Sequence, residues 1–348
     1  MIPIETVQLQ QAIVHRIGNP TKGQALHLSE TPLTLNDEAV RQLLCRYFLQ
    51  PVNPQEQYQF THASSLELNE LFTYARQLFD QPQQFTALSH QIARYLYQCS
   101  THARVKEGEL YVALLSQVPF EDGFAQAIGL FKSETKETYL RVLEHGANLE
   151  VVTEDGINLQ KLDKGCLIFN TQEANGYRLC VVDATNKQQD AQYWVQQFLQ
   201  VTPVANAYRH TNDYLGLCRQ FATQNLPQHF EVTKGQQIDL MQRSLEYFQQ
   251  NDQFDLQEFT TEVIHYPEMV DQFMEFKNQY AQAHQASFTD AFDINADAVK
   301  RQQRSYKSVL KLDKNFHIYI HGRRDLIERG FDETTGKHYY KVYFDEES

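Results

Sequence analysis

No stretch of this chain approaches the roughly 20 apolar residues needed to cross a bilayer, so a membrane-spanning role is not expected. Four enzyme signatures are missing as well: the G-x-x-x-x-G-K-[ST] phosphate loop, the G-x-G-x-x-G fingerprint, the G-x-S-x-G elbow and the H-E-x-x-H zinc helix. Cysteine is sparse and odd in number. Cys45, Cys99, Cys166, Cys180 and Cys218 are scattered with no C-x-x-C, the usage of a reducing compartment rather than of a disulfide framework. The opening MIPIETVQLQQ lacks the basic-then-apolar layout of a secretion signal, which points to the cytoplasm. Positive charge is also scarce, with 31 Lys and Arg against 44 Asp and Glu, for a net charge of -13.

One stretch reverses that balance. Residues 300–344 (KRQQRSYKSVLKLDKNFHIYIHGRRDLIERGFDETTGKHYYKVYF) hold eleven Lys and Arg against five Asp and Glu, a net +6, while residues 1–299 hold -16 and the last four residues -3. A local inversion of this kind is what a polyanion needs, because an acidic body otherwise repels phosphate. The competing reading is a basic element docked on the protein's own acidic surface.

With 348 residues the chain has room for two domains, each with its own core. Residues 1–185 read as an α+β domain. Thr6–Ile17 has strand character and ends at the Gly18-Asn19-Pro20 turn, with a second short strand at 25–28. Asn36-Asp37-Glu38 can cap a helix bearing Val40, Leu43, Leu44 and Phe48, and further helices fit 66–79 and 85–97. Strands follow at 111–115, 127–132, 139–143, 149–152, 166–170 and 177–182. Their spacing of about ten residues suggests an antiparallel meander rather than a βαβ wind. A boundary falls at Ala184–Gln189, and residues 186–348 read as a helical domain ending in a basic, aromatic β segment. Within it Ile238, Met241, Leu245 and Phe248, then Met269, Phe273, Phe276 and Tyr280, mark two amphipathic helices.

No metal or cofactor is assigned. Asp293, Asn295 and Asp297 match the first positions of a calcium loop, but Ala298 stands where glycine is needed and Arg304 where the bidentate Glu belongs, so helix capping is the expected role. His317 and His321 are four residues apart on a strand, about 13 Å, too far to share one ion. Carboxylates are too numerous for any pair to be singled out as a nuclease centre, and no catalytic residue is assigned.

At the C-terminus, alternation places Phe316, Ile318 and Ile320 on one face of a strand and His317, Tyr319 and His321 on the other. A second strand, 339–344, would bury Tyr340, Val342 and Phe344 and expose Tyr339, Lys341 and Tyr343. Paired as a hairpin, the two would present rings beside cations, with Arg323, Arg324 and Arg329 between them and Lys337 after the Asp332–Gly336 turn. Such a platform suits a nucleic acid, because cations replace condensed counterions and rings stack on exposed bases. Lys307, Lys311, Lys314, Arg323, Arg324, Arg329, Lys337 and Lys341 are the candidate phosphate contacts, with Tyr319 and His321 secondary. No recognition helix is evident, so backbone contact is expected to dominate.

The run KSVLKLDKNFHIYIHGRRDLIERGFDETTGKHYYKVYF, together with AIVHRIGNPTKGQALHLSE and DEAVRQLLCRYFLQP near the start, resembles the bacterial nucleoid-associated protein family that includes YejK. That resemblance implies a cytoplasmic, nucleoid-located protein that binds DNA, with no catalytic residues to carry over. The alternative it leaves open is a protein-interaction module that regulates a DNA-processing enzyme such as a topoisomerase. Oligomeric state is not legible in the chain.

Overall fold

The computed structural model describes residues 2–184, 193–284, 286–306, 308–312, 316–320 and 326–346, with backbone alone at 308–311, 317 and 320. The chain divides into two compact units, Met1–Val204 and Ala205–Ser348. Residues 185–189, where the boundary was expected, lie outside the described residues.

The first unit is built on one antiparallel sheet. Its strands are β1 (Gln8–Ile17), β2 (Leu26–His27), β3 (Gln57–Phe60), β4 (Gly108–Phe120), β5 (Gly123–Ser133), β8 (Lys164–Phe169), β9 (Arg178–Asp183) and β10 (Val201–Pro203). They lie in the order β10-β3-β9-β8-β5-β4-β1-β2. Helices α2 (Glu70–Asp80) and α3 (Phe85–Cys99) pack on one face, where Leu78, Leu96, Ile128 and Trp194 are among the buried residues of a single cluster. Helix α1 (Glu38–Leu49) belongs to the core on the other face, where Phe48 stacks on Phe131 with centroids 4.3 Å apart. The expected strands all form, and the chain is α+β.

The meander differs in one respect. β6 (Lys136–His145) and β7 (Asn148–Ile157) pair only with each other and stand outside the eight-stranded sheet. Strand alternation reports pleating but not which neighbour a strand joins, so the sequence could not separate this arm from the sheet.

Helix starts follow their caps. Asp37 accepts a bond from the Ala39 amide at 2.8 Å, starting α1. Asn69 accepts one from Phe72 at 3.0 Å, so the helix expected over 66–79 divides into a short 3-10 turn at Leu66–Leu68 and α2 proper. On α1, Val40 and Leu43 are exposed, and Cys45, Phe48 and Leu49 do the packing, because only the C-terminal half of the helix meets the sheet.

A buried charge network ties three central strands together. Register aligns Lys132 of β5 with Lys164 of β8, and Lys164 with Asp183 of β9. Lys132 has no exposed surface; its ammonium donates to Glu134 at 2.8 Å, to the Lys106 carbonyl at 2.9 Å and to the Tyr193 hydroxyl at 3.1 Å. Tyr193 in turn donates to Glu134 at 2.6 Å. Burial pulls the Lys132 pKa down against the opposing pull of Glu134, and pushes the Tyr193 phenol well up. A one-residue slip of any of these strands would strand a charge in the interior, so the network fixes register.

The second unit begins as a helical body: α4 (Ala207–Gln220), α5 (Leu226–His229), α6 (Lys234–Gln250), α7 (Leu256–Phe259), α8 (Pro267–His284) and α9 (Ala296–Gln303), with the small pair β11 (Gln253–Asp255) and β12 (Ala291–Asp293). The two amphipathic stripes read from the sequence lie on α6 and α8, with Met241, Phe248 and Phe273 buried in one core. Thr233 and Gln236 form a capping box at α6. Asn295 accepts the Ala298 amide at 3.0 Å and caps α9, the role expected for the incomplete calcium loop.

Candidate nucleic-acid interface

The last part of the second unit consists of two antiparallel hairpins. β13 (Ser308–Leu312) pairs with β14 (Phe316–Ile320), and β15 (Ile327–Asp332) pairs with β16 (Lys337–Val342). The strands expected to form one hairpin, 316–321 and 339–344, therefore each pair with the strand just before them. Closing a short loop costs less chain entropy than closing one of some twenty residues, and sequential strands pair accordingly.

Register in the second hairpin sets Glu328 against Lys341, Gly330 against Tyr339 and Asp332 against Lys337. Since neighbouring residues point to opposite faces, these six share one side. A Cβ on Gly330 would collide with the Tyr339 ring, so glycine is what lets this ring lie over the neighbouring strand. Lys341 sits 4.7 Å from the Tyr343 ring centroid, and the Tyr343 hydroxyl donates to Glu328 at 3.0 Å. The Tyr343 phenol beside it raises the Lys341 pKa. At the turn, Thr334 and Thr335 hydroxyls bond the Asp332 carboxylate at 2.7 and 2.8 Å and hold its pKa down at about 2. Gly336 closes this turn with φ 64°, and its amide donates to the Asp332 carbonyl at 2.8 Å.

This hairpin is therefore balanced in charge. Residues 326–344 contain three cations, Arg329, Lys337 and Lys341, and three carboxylates, Glu328, Asp332 and Glu333. The excess lies earlier: residues 300–325 hold eight Lys and Arg against Asp313 and Asp325. The signal was present in the sequence, as the four-residue spacing of Glu328 and Asp332 that mirrors that of Lys337 and Lys341.

Of the sequence-derived candidates, Tyr319, Arg329, Lys337 and Lys341 are exposed. Lys311 is placed by backbone register alone, opposite His317. Lys307, Lys314, His321, Arg323 and Arg324 lie outside the described residues. The expected apolar underside is not buried. Phe316 is 64% exposed, Phe344 67% and Val342 47%. The result is a concentration of open rings: Phe316, Tyr319, Phe331, Tyr339, Tyr343 and Phe344 are six of the nine exposed aromatic side chains among the described residues. Phe316, Phe331 and Phe344 were missed as surface rings because alternation alone cannot say whether anything covers the apolar side of a two-stranded ribbon.

Among the described residues no group of three His, Cys, Asp or Glu side chains is arranged to hold a metal ion, and no helix is long and apolar enough to cross a membrane. An α+β body followed by paired hairpins of exposed rings and cations sets the context for comparison with known families. A profile described as nucleoid-associated protein YejK matches residues 13–343, nearly the whole chain. The chain belongs to that nucleoid-associated family. No curated protein matches it.

Proposed function

We propose that this chain binds DNA in a largely sequence-independent way through its C-terminal segment, as a cytoplasmic component of the nucleoid. The single observation that carries the reading is the cluster of exposed rings at residues 316–344, which begins within the cationic stretch 300–325. Cations there replace counterions along the phosphate backbone, and exposed rings stack on bases without regard to sequence. Lys307, Lys311, Lys314, Arg323 and Arg324 supply most of the phosphate contact, with Arg329 and Tyr319 adjoining. Lys337 and Lys341 contribute less, since each faces a carboxylate across the hairpin. His321 is a secondary contact, and no base readout or catalytic step is assigned.

The test is DNA affinity against salt. With about six phosphates engaged, affinity falls roughly a thousandfold or more between about 50 and 200 mM; a flat response contradicts the reading.

A second reading, regulation of a DNA-processing enzyme through protein contact, is favoured by the β6–β7 arm. Leu140, Val142, Leu149 and Val151 are 59 to 75% exposed there. Val142 and Val151 are direct cross-strand partners. The arm's Glu137, Glu144, Glu150, Glu154 and Asp155 outnumber Lys136 and Arg141, which disfavours DNA and leaves protein as its partner. Under this reading a purified topoisomerase co-sediments with the chain after nuclease treatment, and Leu140→Asp/Val151→Asp abolishes it.

A further inference from the structure

Two irregularities lie side by side in the eight-stranded sheet. The β1–β4 ladder shifts between Leu9 and Gln11, leaving Gln10 as an extra residue, and the β4–β5 ladder shifts between Leu115 and Val118. They are neighbours, because Leu9 pairs with Leu115 and Gln8 with Ser116. Inside the second shift Gln117 adopts φ 54°, a left-handed conformation that side-chain-bearing residues seldom take. Bulges bend strand ends and re-aim side chains, and they gather beside functional sites.

Here they border a cleft of about 510 Å³ between the ends of β1, β4 and β5 and the corner formed by α2 and the turn Pro82–Gln84. Leu78 and Leu114 give it an apolar floor, and Phe79 and Pro82 stand at one side, while Leu115 and Ala127 border it with their side chains in the core on the opposite face of the sheet. Every polar side chain that lines it is an amide or a hydroxyl: Gln10, Gln11, Gln83, Gln126 and Ser116. Gln10 is engaged with Ser116 at 2.8 Å and Gln8 at 3.2 Å. The side-chain amides of Gln11, Gln83 and Gln126 bond to no other described residue. Register fixes where two of them stand. Gln11 is the partner of Leu114 on one side, and Gln126 lies two residues from Ile128, the partner of Leu114 on the other. Both glutamines therefore flank Leu114 on the same face of the sheet.

The lining decides the ligand class. With no charged side chain, the cleft offers nothing to phosphate, to a carboxylate or to a metal ion. An apolar floor with an aromatic ring beside it accepts a planar body, and each primary amide offers two donors and an acceptor in one plane. Glutamine pairs with the edge of a nucleobase through this donor and acceptor combination. We infer that the cleft is a binding site for an uncharged nucleobase-type ring, seated on Leu114 beside Phe79 and held at its edge by Gln11 and Gln126. The site is separate from the C-terminal segment and does not depend on how that segment meets DNA.

The ring can come from a free nucleoside or from an unstacked base of a strand, and one experiment separates the two. The intact protein is titrated by calorimetry with adenosine, guanosine, cytidine and thymidine, each alone and again in the presence of a short single-stranded DNA. At least one nucleoside binds with one-to-one stoichiometry and an affinity insensitive to salt, since no charge is involved. Gln11→Leu/Gln126→Leu weakens it about tenfold or more, because two neutral hydrogen bonds are lost. Competition by the strand assigns the site to unstacked bases, and lack of competition assigns it to the free nucleoside. If the double variant proves unstable, the single variants Gln11→Leu and Gln126→Leu make the same comparison, each with a smaller loss. Failure of all four nucleosides to bind at millimolar concentration overturns the inference, and so does binding that survives in a folded variant.

Discussion

In the N-terminal sheet a lysine ammonium is sealed in the interior, where Lys132 has all three protons committed to Glu134, Lys106 and Tyr193. In the C-terminal hairpin Lys341 stands in solvent across from Glu328, with a tyrosine ring against it. The aromatic residues divide the same way: Phe48, Phe131 and Trp194 are fully buried around the sheet, while Phe316, Tyr319 and Phe344 are open. The contrast teaches that residue type does not set the role of a charge or a ring. Burial converts the same chemistry from recognition into architecture, since a desolvated ion must be paired and an exposed one remains available to an external partner.

The largest effect should come from breaking the interior pair. Lys132→Ala leaves the Glu134 carboxylate buried without its ammonium and should cost about 3 to 5 kcal/mol in urea denaturation. A loss below about 1 kcal/mol would erase the distinction between the two regions.

Acid should separate them next. His15 is buried, accepts the Ser29 amide at 3.2 Å and has its pKa lowered to about 4, first by burial and then by His90. The folded chain thus keeps His15 neutral where the unfolded chain protonates it. Stability is complete above about pH 6.5 and is lost as pH falls from 6.5 to 4, by about 3 kcal/mol. The Tm at pH 7, 5.5 and 4.5, together with NMR titration of the imidazole, checks this; a ring titrating between 6 and 7 contradicts it.

Smaller effects concern the exposed groups of the C-terminal hairpins. Phe316→Ala and Tyr319→Ala should each weaken single-stranded DNA binding by about 1 to 3 kcal/mol while leaving the Tm unchanged. A fall in Tm with unaltered affinity would mean that these rings pack rather than recognise. Least of all, Lys337→Ala/Lys341→Ala should change stability by under about 0.5 kcal/mol, as removal of exposed charges set across a strand from carboxylates generally does.

Much of the first unit was legible because its strands read as short apolar runs between turn residues, as at 111–115 and 127–132, where both faces of the sheet are covered, and because Asp37 announces its helix by a cap. The C-terminal pairing was not. β13 carries Ser308 and Lys311, and β15 reads IERGFD, with a glycine and three charges, so neither has the β-branched and aromatic signature that marks strands. With those partners unseen, the two conspicuous strands were paired with each other. The glutamine-lined cleft was invisible for a different reason: bulges at Gln10 and Gln117 are properties of ladder register, which no local pattern of residues records.

The most direct test of the central claim is the slope of log affinity against log salt for duplex DNA, measured on the intact chain, on Arg323→Glu/Arg324→Glu and on Lys337→Ala/Lys341→Ala. The account predicts a slope shallower by roughly 2 for the arginine variant and nearly unchanged for the lysine variant, because each phosphate contact contributes about 0.9. Equal slopes in all three proteins would contradict it.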